Sequence, residues 1–410
     1  MVSSNGYTPS VTVKFHNKVL LLNNIRFTPE GISRAGLARK MGLSRTAVSS
    51  IVNDLLSVGV IREAEDSPST GGRRAVLLEI NPQSGYILGV DVGATHLGLV
   101  LADFSARVVV EQEYPFDVSR GPEFCLQEVD RNLRIFLSEA GFSLDDVAAI
   151  GVGVPGPVVA ETGGVIAPPI MPGWDKFPIQ AYLEDLWGHP ITLNNDAELG
   201  ALGEWAYGAG RFEDNLLYIK VGYGIGAGLL LNGQIYSGAT GSAGEIGHIT
   251  ILEDGPMCTC GNRGCLEALA GGRAIAEQAQ RAVKAGKRTR LAAIQPIERI
   301  TALDVAQEAR KGDLVAQEII ADAGRYLGIA IANLINIINP GMIVIGGGIS
   351  QVGDLFLEPI RRYATSRSLL ASARTVRITA AVLGRRSSSM GAVVQALSVA
   401  LQNRIETADL

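Results

Sequence analysis

The chain has 410 residues, a net charge of −5, 47% apolar and 19% charged residues. That length calls for two or three domains, and that balance fits a well-packed soluble protein. A membrane span is excluded, because the most apolar stretch, 329–345, is broken by Asn333, Asn336, Asn339 and Pro340. The first residues lack a basic end followed by an apolar core, so no leader and a cytoplasmic location are expected.

Charge is unevenly placed. Residues 1–80 hold 10 basic and 6 acidic side chains, net +4, and the rest holds 26 and 35, net −9. A basic first domain on an acidic body points to a polyanion met by the first domain alone. There, apolar spacing predicts a helix over 15–26. Ser33 caps a second helix that stops at Gly42, and Ser44 caps a third that stops at Gly59. Two short helices joined by a glycine turn make a helix-turn-helix. Its core is Leu37, Ala38, Leu43, Val48, Ile51, Val52 and Leu55, which leaves Ser44, Arg45, Thr46, Ser49, Ser50 and Asn53 for base edges. Strands over 60–63 and 75–80 flank the loop DSPSTGGRR, a wing that offers Arg73 and Arg74 to a minor groove. A three-helix module also serves as a protein-binding domain. The basic charge, the polar helix face and the wing favour double-stranded DNA.

From Tyr86 the pattern is β. Asp91 ends an apolar run, and Gly93 and Thr95 form the turn after it, as at a sheet edge that holds a metal-bound phosphate. A helix over 123–140 and a buried strand ending in Pro155-Gly156-Pro157 follow. The strand at 191–193 leads into Asn194, Asn195 and Asp196. Asp196 opens a helix, either as general base for a hydroxyl proton or as a plain N-cap. In LLYIKVGYGIGAGLLLNG, Gly222, Gly224, Gly226 and Gly228 either present N–H groups to phosphate or mark a tight hairpin.

The stretch 240–267, TGSAGEIGHITILEDGPMCTCGNRGCLE, is the densest in chemistry. His248, Cys258, Cys260 and Cys265 form a Cys₃His set for tetrahedral zinc, the alternative being a disulfide plus a free thiol. Four protein ligands close the coordination, so such a zinc is structural. Glu245 and Glu267 flank the set. They suit a polyhydroxylated ligand if they face inward and are solvated charges if they do not. Helices then run to about Asn339, followed by a strand ending in Gly346, Gly347 and Gly348, where a nucleobase or backbone can approach closely. A helix over 351–370, a strand at 376–378 and a helix over 388–401 close the chain. Cys125 reads as a buried core residue.

GEIGH…CTCGNRGCLE, with DVGAT, NND, VGYGIGAG and IVIGGG in this order, resembles the ROK family of sugar-responsive repressors and sugar kinases. The resemblance covers the whole chain. It implies an α/β protein: a winged helix-turn-helix over 1–82 and a two-lobed actin-like, ribonuclease H-like sugar-kinase body with a zinc loop. The lobes would span 83–190 and 191–410, with the last helix packing back on the first lobe. It implies zinc on His248, Cys258, Cys260 and Cys265. Sugar would lie on Gly156, Asn195, Asp196, Glu245, His248 and Glu267. A weak or vestigial Mg-ATP site would use Asp91, Gly93, Thr95, Gly222, Gly224, Gly226, Gly346, Gly347 and Gly348. Asp196 would be catalytic if kinase activity persists. Departures weigh against that activity: Ala94 and Tyr223 replace a glycine and a threonine usual in the phosphate loops, and Glu198 and Pro168-Pro169 stand where asparagine is common. The implied function is a sugar-responsive regulator, a repressor of carbohydrate genes, acting as a homodimer on operator DNA. The alternative is an ATP-dependent sugar kinase that kept a DNA-binding domain.

Overall fold

The computed structural model describes residues 9–408 except 29, 65–75 and 212. The wing tip with Arg73 and Arg74, and Ala75, lie outside the described residues. The first helix begins at Pro9, ahead of the apolar spacing that suggests Phe15. The next two, Arg34–Met41 and Arg45–Ser57, start where serine Oγ atoms accept the orphan N–H groups: Ser33 from Gly36 at 3.1 Å and Ser44 from Ala47 at 3.2 Å. Gly42, at φ 66°, ends the first of these two. Ile32–Ser33, Leu77–Ile80 and Ile61–Glu63 form a small antiparallel sheet with Leu77–Ile80 in the middle.

The body is built on two five-stranded sheets of the same topology. In the first, Tyr86–Val92, His96–Asp103 and Val108–Pro115 run as an antiparallel meander. Val147–Val154 adds in parallel beside Tyr86–Val92, and Ile191–Asn195 adds outside it. In the second, Leu216–Val221, Ile225–Leu231 and Gln234–Ile235 repeat the meander, and Met342–Gly346 and Arg377–Ala380 repeat the parallel additions. The expected boundary at 190/191 therefore moves. Ile191–Asn195 pairs residue for residue with Ile150–Val154 and belongs to the first sheet.

The last helix, Ser387–Ala408, is longer than its apolar spacing indicates and packs on the first sheet. Glycine makes this possible. A Cβ on Gly89 would lie 2.2 Å from the Ser389 carbonyl oxygen, and one on Gly151 2.2 Å from that of Ala392. Its other flank meets Asp196–Tyr207, where a Cβ on Gly203 would strike the Ser387 carbonyl oxygen at 2.2 Å. The apolar core under this helix is continuous with that of the amino-terminal helices: Leu21, Ile25, Val48 and Leu55 share one buried cluster with Val393, Leu397 and Leu401. Arg26 fastens the junction, donating from Nη2 to the Val394 carbonyl at 3.0 Å and from Nη1 to Ser398 Oγ at 2.9 Å. Phe27 stacks edge-on to Trp205 at 5.0 Å.

Candidate functional site

A cavity of about 710 Å³ opens between the two sheets. Gly156, Asn195, Asp196, Glu245, His248 and Glu267 all line it. Asp196 reaches it because Asn195 takes over the helix cap: Asn195 Oδ1 accepts from the N–H groups of Ala197 (2.8 Å) and Glu198 (3.1 Å), and its Nδ2 donates to the Gly156 carbonyl at 3.0 Å. The capping alternative for Asp196 thus falls to its neighbour, and the Asp196 carboxylate is left for the cleft. Glu245 Oε2 stands 3.9 Å from His248 Nε2. Burial holds the Glu245 carboxyl above its ordinary range, against the pull of His248.

Sequence reasoning missed the residue at the centre of the floor. Lys220 Nζ lies 2.9 Å from Asp196 Oδ2, 3.5 Å from both carboxylate oxygens of Asp91, and 3.2 Å from Ser388 Oγ at the start of the last helix. His96 Nε2 adds a contact to Asp91 Oδ2 at 3.2 Å. Burial would raise Asp91, but the Lys220 ammonium and His96 outweigh it and hold the carboxyl low. Asp196 goes the other way: burial raises it and the charge of Asp91 adds, more than Lys220 offsets. Lys220 itself is pushed up, because the two carboxylates overcome its desolvation. A signal was present: a lone charge inside the apolar strand LLYIKV.

The glycine loops divide. Thr95, Gly222, Gly224, Gly226, Gly347 and Gly348 line the cavity, together with Ala94 and Tyr223, whereas Asp91, Gly93 and Gly346 lie behind its wall. Packing explains several of these glycines. A Cβ on Gly93 would enter the His96 ring at 2.1 Å, and one on Gly346 would meet Tyr218 Oη at 2.2 Å. On Gly224 it would lie 2.2 Å from Glu267 Oε2, which accepts the Ile225 N–H at 3.0 Å. Gly228, offered with them as a phosphate donor, instead passes close over the Ala197 carbonyl. Glu198 is not on the cleft wall. It is buried, and neither carboxylate oxygen has a hydrogen-bond partner.

The ligand atoms of His248, Cys258, Cys260 and Cys265 all lie within 4.8 Å of one another, a group able to hold a metal ion. Cys258 Sγ is 3.7 Å from His248 Nδ1, and Cys260 Sγ is 3.7 Å from Cys265 Sγ. Thiolates about 2.3 Å from a tetrahedral ion are about 3.8 Å apart. Nδ1 faces the cysteines, which turns Nε2 toward Glu245. Cys125 lies apart, fully buried, its thiol pushed up to about 11 by burial.

On Arg45–Ser57, Arg45, Thr46, Ser50 and Asn53 are exposed with the cap Ser44, and Ser49 is half-buried. The opposite face, Val48, Ile51, Val52 and Leu55, is buried. Arg34 Nη1 donates to Asn53 Oδ1 at 2.8 Å. Among the described residues no helix is long and apolar enough to cross a membrane.

The ROK family model matches residues 87–398. A putative xylose repressor of Caldicellulosiruptor sp. (strain Rt8B.4) is 35% identical over 386 residues, 94% of this chain and 96% of that protein. A solved ROK family transcriptional regulator, described as a homolog of the E. coli MLC protein, superposes with a TM-score of 0.80 at 27% identity, covering 97% of this chain and 98% of that one. The ROK family glucokinase of Streptomyces griseus, solved with glucose and AMPPNP, gives a TM-score of 0.69 at 29% identity and covers 76% of this chain and 99% of its own.

Proposed function

This chain belongs to the ROK family, and we propose that it is a cytoplasmic, sugar-responsive DNA-binding regulator that represses carbohydrate genes. The body has the mixed α/β sheets of the family's sugar kinases. The match to a solved regulator covers 97% of this chain, too much to leave out the amino-terminal module, and we read that module as a winged helix-turn-helix. Ser44, Arg45, Thr46, Ser49, Ser50 and Asn53 would meet the major groove, and Arg73 and Arg74 the minor groove. A homodimer would set the spacing of two such helices.

The observation that carries the reading is the convergence of Asp196, Glu245, His248 and Glu267 on one cleft whose floor touches the last helix, which in turn grips the DNA-binding module. Carboxylates and an imidazole accept and donate to several hydroxyls at once. Gly156 and Asn195 complete the rim. Zinc fits His248 and the three cysteines by donor type and spacing. Holding Nδ1 would fix the imidazole so that Nε2 serves the sugar. Sugar that favours one arrangement of the lobes by about 1–3 kcal/mol would change operator affinity to match. The names of two of these relatives make xylose the first candidate.

The test is operator DNA, selected from random duplexes, in a gel shift against a panel of aldoses and amino sugars. One sugar releases the DNA, and Glu245→Ala abolishes the release while leaving sugar-free binding intact. Intact DNA binding that no sugar alters would sink the reading.

A further inference from the structure

Phosphoryl transfer from a nucleotide relies on a divalent cation to neutralise developing charge. Two hard carboxylate donors converging from different elements, a strand end and a helix start, are what such a cation takes. Asp91 and Asp196 converge in this way, but the space between them holds the Lys220 ammonium. Its three protons have three acceptors, in Asp196, Asp91 and Ser388. A lysine poised for phosphate would keep a donor free. The second glycine loop is engaged as well: Glu267 takes the Ile225 N–H, and Tyr223 projects into the cleft. These residues do not fit a magnesium nucleotide.

We propose that Lys220 is a built-in cation that closes a latent divalent-metal site on Asp91 and Asp196, so that the cleft receives its ligand without a metal nucleotide. Neighbouring glycines give both side chains room. Asp91 stands in register between Gly98 and Gly153, and Lys220 between Gly226 and Gly346. A divalent cation entering beside the ammonium would meet repulsion in a buried floor, and the ammonium has no exit that keeps its hydrogen bonds. The carboxylates alone, without Lys220, would offer oxygen ligands from two elements with no cation between them.

The latent site needs neither sugar nor DNA, so its test is separate from that of the regulator reading. Mn²⁺ is titrated into the full-length protein and followed by electron paramagnetic resonance, with calorimetry of Mg-AMPPNP alongside. The wild-type protein leaves Mn²⁺ free at millimolar concentration and takes up no Mg-AMPPNP. Lys220→Ala gains one Mn²⁺ with affinity raised by about tenfold or more, and the double variant Lys220→Ala/Asp91→Asn loses it again. Lys220→Gln serves if Lys220→Ala does not fold. One Mn²⁺ bound by the wild-type protein and removed by Asp196→Asn would overturn the proposal. So would a folded Lys220 variant that gains no site.

Discussion

Asp91 and Lys220 hold the same place in two sheets of the same topology, and there they meet at 3.5 Å. Each is the last residue but one of its sheet's first strand, Tyr86–Val92 and Leu216–Val221, and each is followed by Val-Gly. Opposite charges at matching positions turn the meeting point of the sheets into an internal ion pair. Ser388 extends that pair into the last helix. The floor of the cleft and the support of the amino-terminal module are thereby parts of one connected element.

The connection predicts a variant that separates binding from response. Arg26 is 7% exposed, and its guanidinium holds Val394 and Ser398 on the helix that starts at the cleft. Arg26→Met keeps the bulk and removes charged hydrogen bonds that contribute about 1.5–3 kcal/mol each. The variant should bind operator within a few-fold of wild type, while the ratio of affinities with and without sugar shrinks toward one. Paired titrations of DNA at saturating and zero sugar measure this. An unchanged ratio would mean that the signal travels by another route.

Burial of Glu198 sets a pH dependence. The side chain is 2% exposed, and Ser237 and Asn194, which oppose the shift, stand outside hydrogen-bonding geometry. Burial raises its carboxyl above the ordinary 4.5. The native state therefore binds more protons than the unfolded state above that pH, and the Glu198 contribution to stability falls as pH rises through the folded value. Glu198→Gln removes this titration. Its melting temperature should match wild type near pH 4 and exceed it near neutrality, by an amount equivalent to about 1–3 kcal/mol. Thermal unfolding across that range is the check, and a constant difference at every pH would contradict it.

Much of this was legible in the sequence, because it depended on local chemistry. Ser33, Gly42 and Ser44 mark helix ends through bonds spanning a few residues, and His248 with its cysteines lies within one short loop. What escaped depends on distant pairing. The strand Ile191–Asn195 joins the first sheet through Ile150–Val154, which local spacing does not encode. The partners of Lys220 are 129, 24 and 168 residues away. The readable trace was the parallel between VDVG and IKVG. The run ending in Gly346 leaves room for a nucleobase or backbone on sequence grounds, and only the packed sheet reveals that Gly346 makes room for the Tyr218 ring.

The metal set makes the last prediction, because His248 belongs both to it and to the cleft. Zinc on Nδ1 would fix the imidazole and keep Nε2 directed at Glu245, whose carboxylate lies 3.9 Å away. Cys258 is buried and faces Nδ1 at 3.7 Å. Cys258→Ser should release the metal, lower stability by on the order of 2–4 kcal/mol, and weaken sugar binding in the same step. Metal content, melting temperature and sugar affinity, measured on one preparation, test the linkage. Prolonged chelation of the wild-type protein should reproduce all three changes, and returning zinc should reverse them. Sugar binding lost with the melting temperature unchanged would show that His248 is held by something other than the metal. Both retained after the metal is gone would show that the four ligands neither stabilise the loop nor orient the cleft.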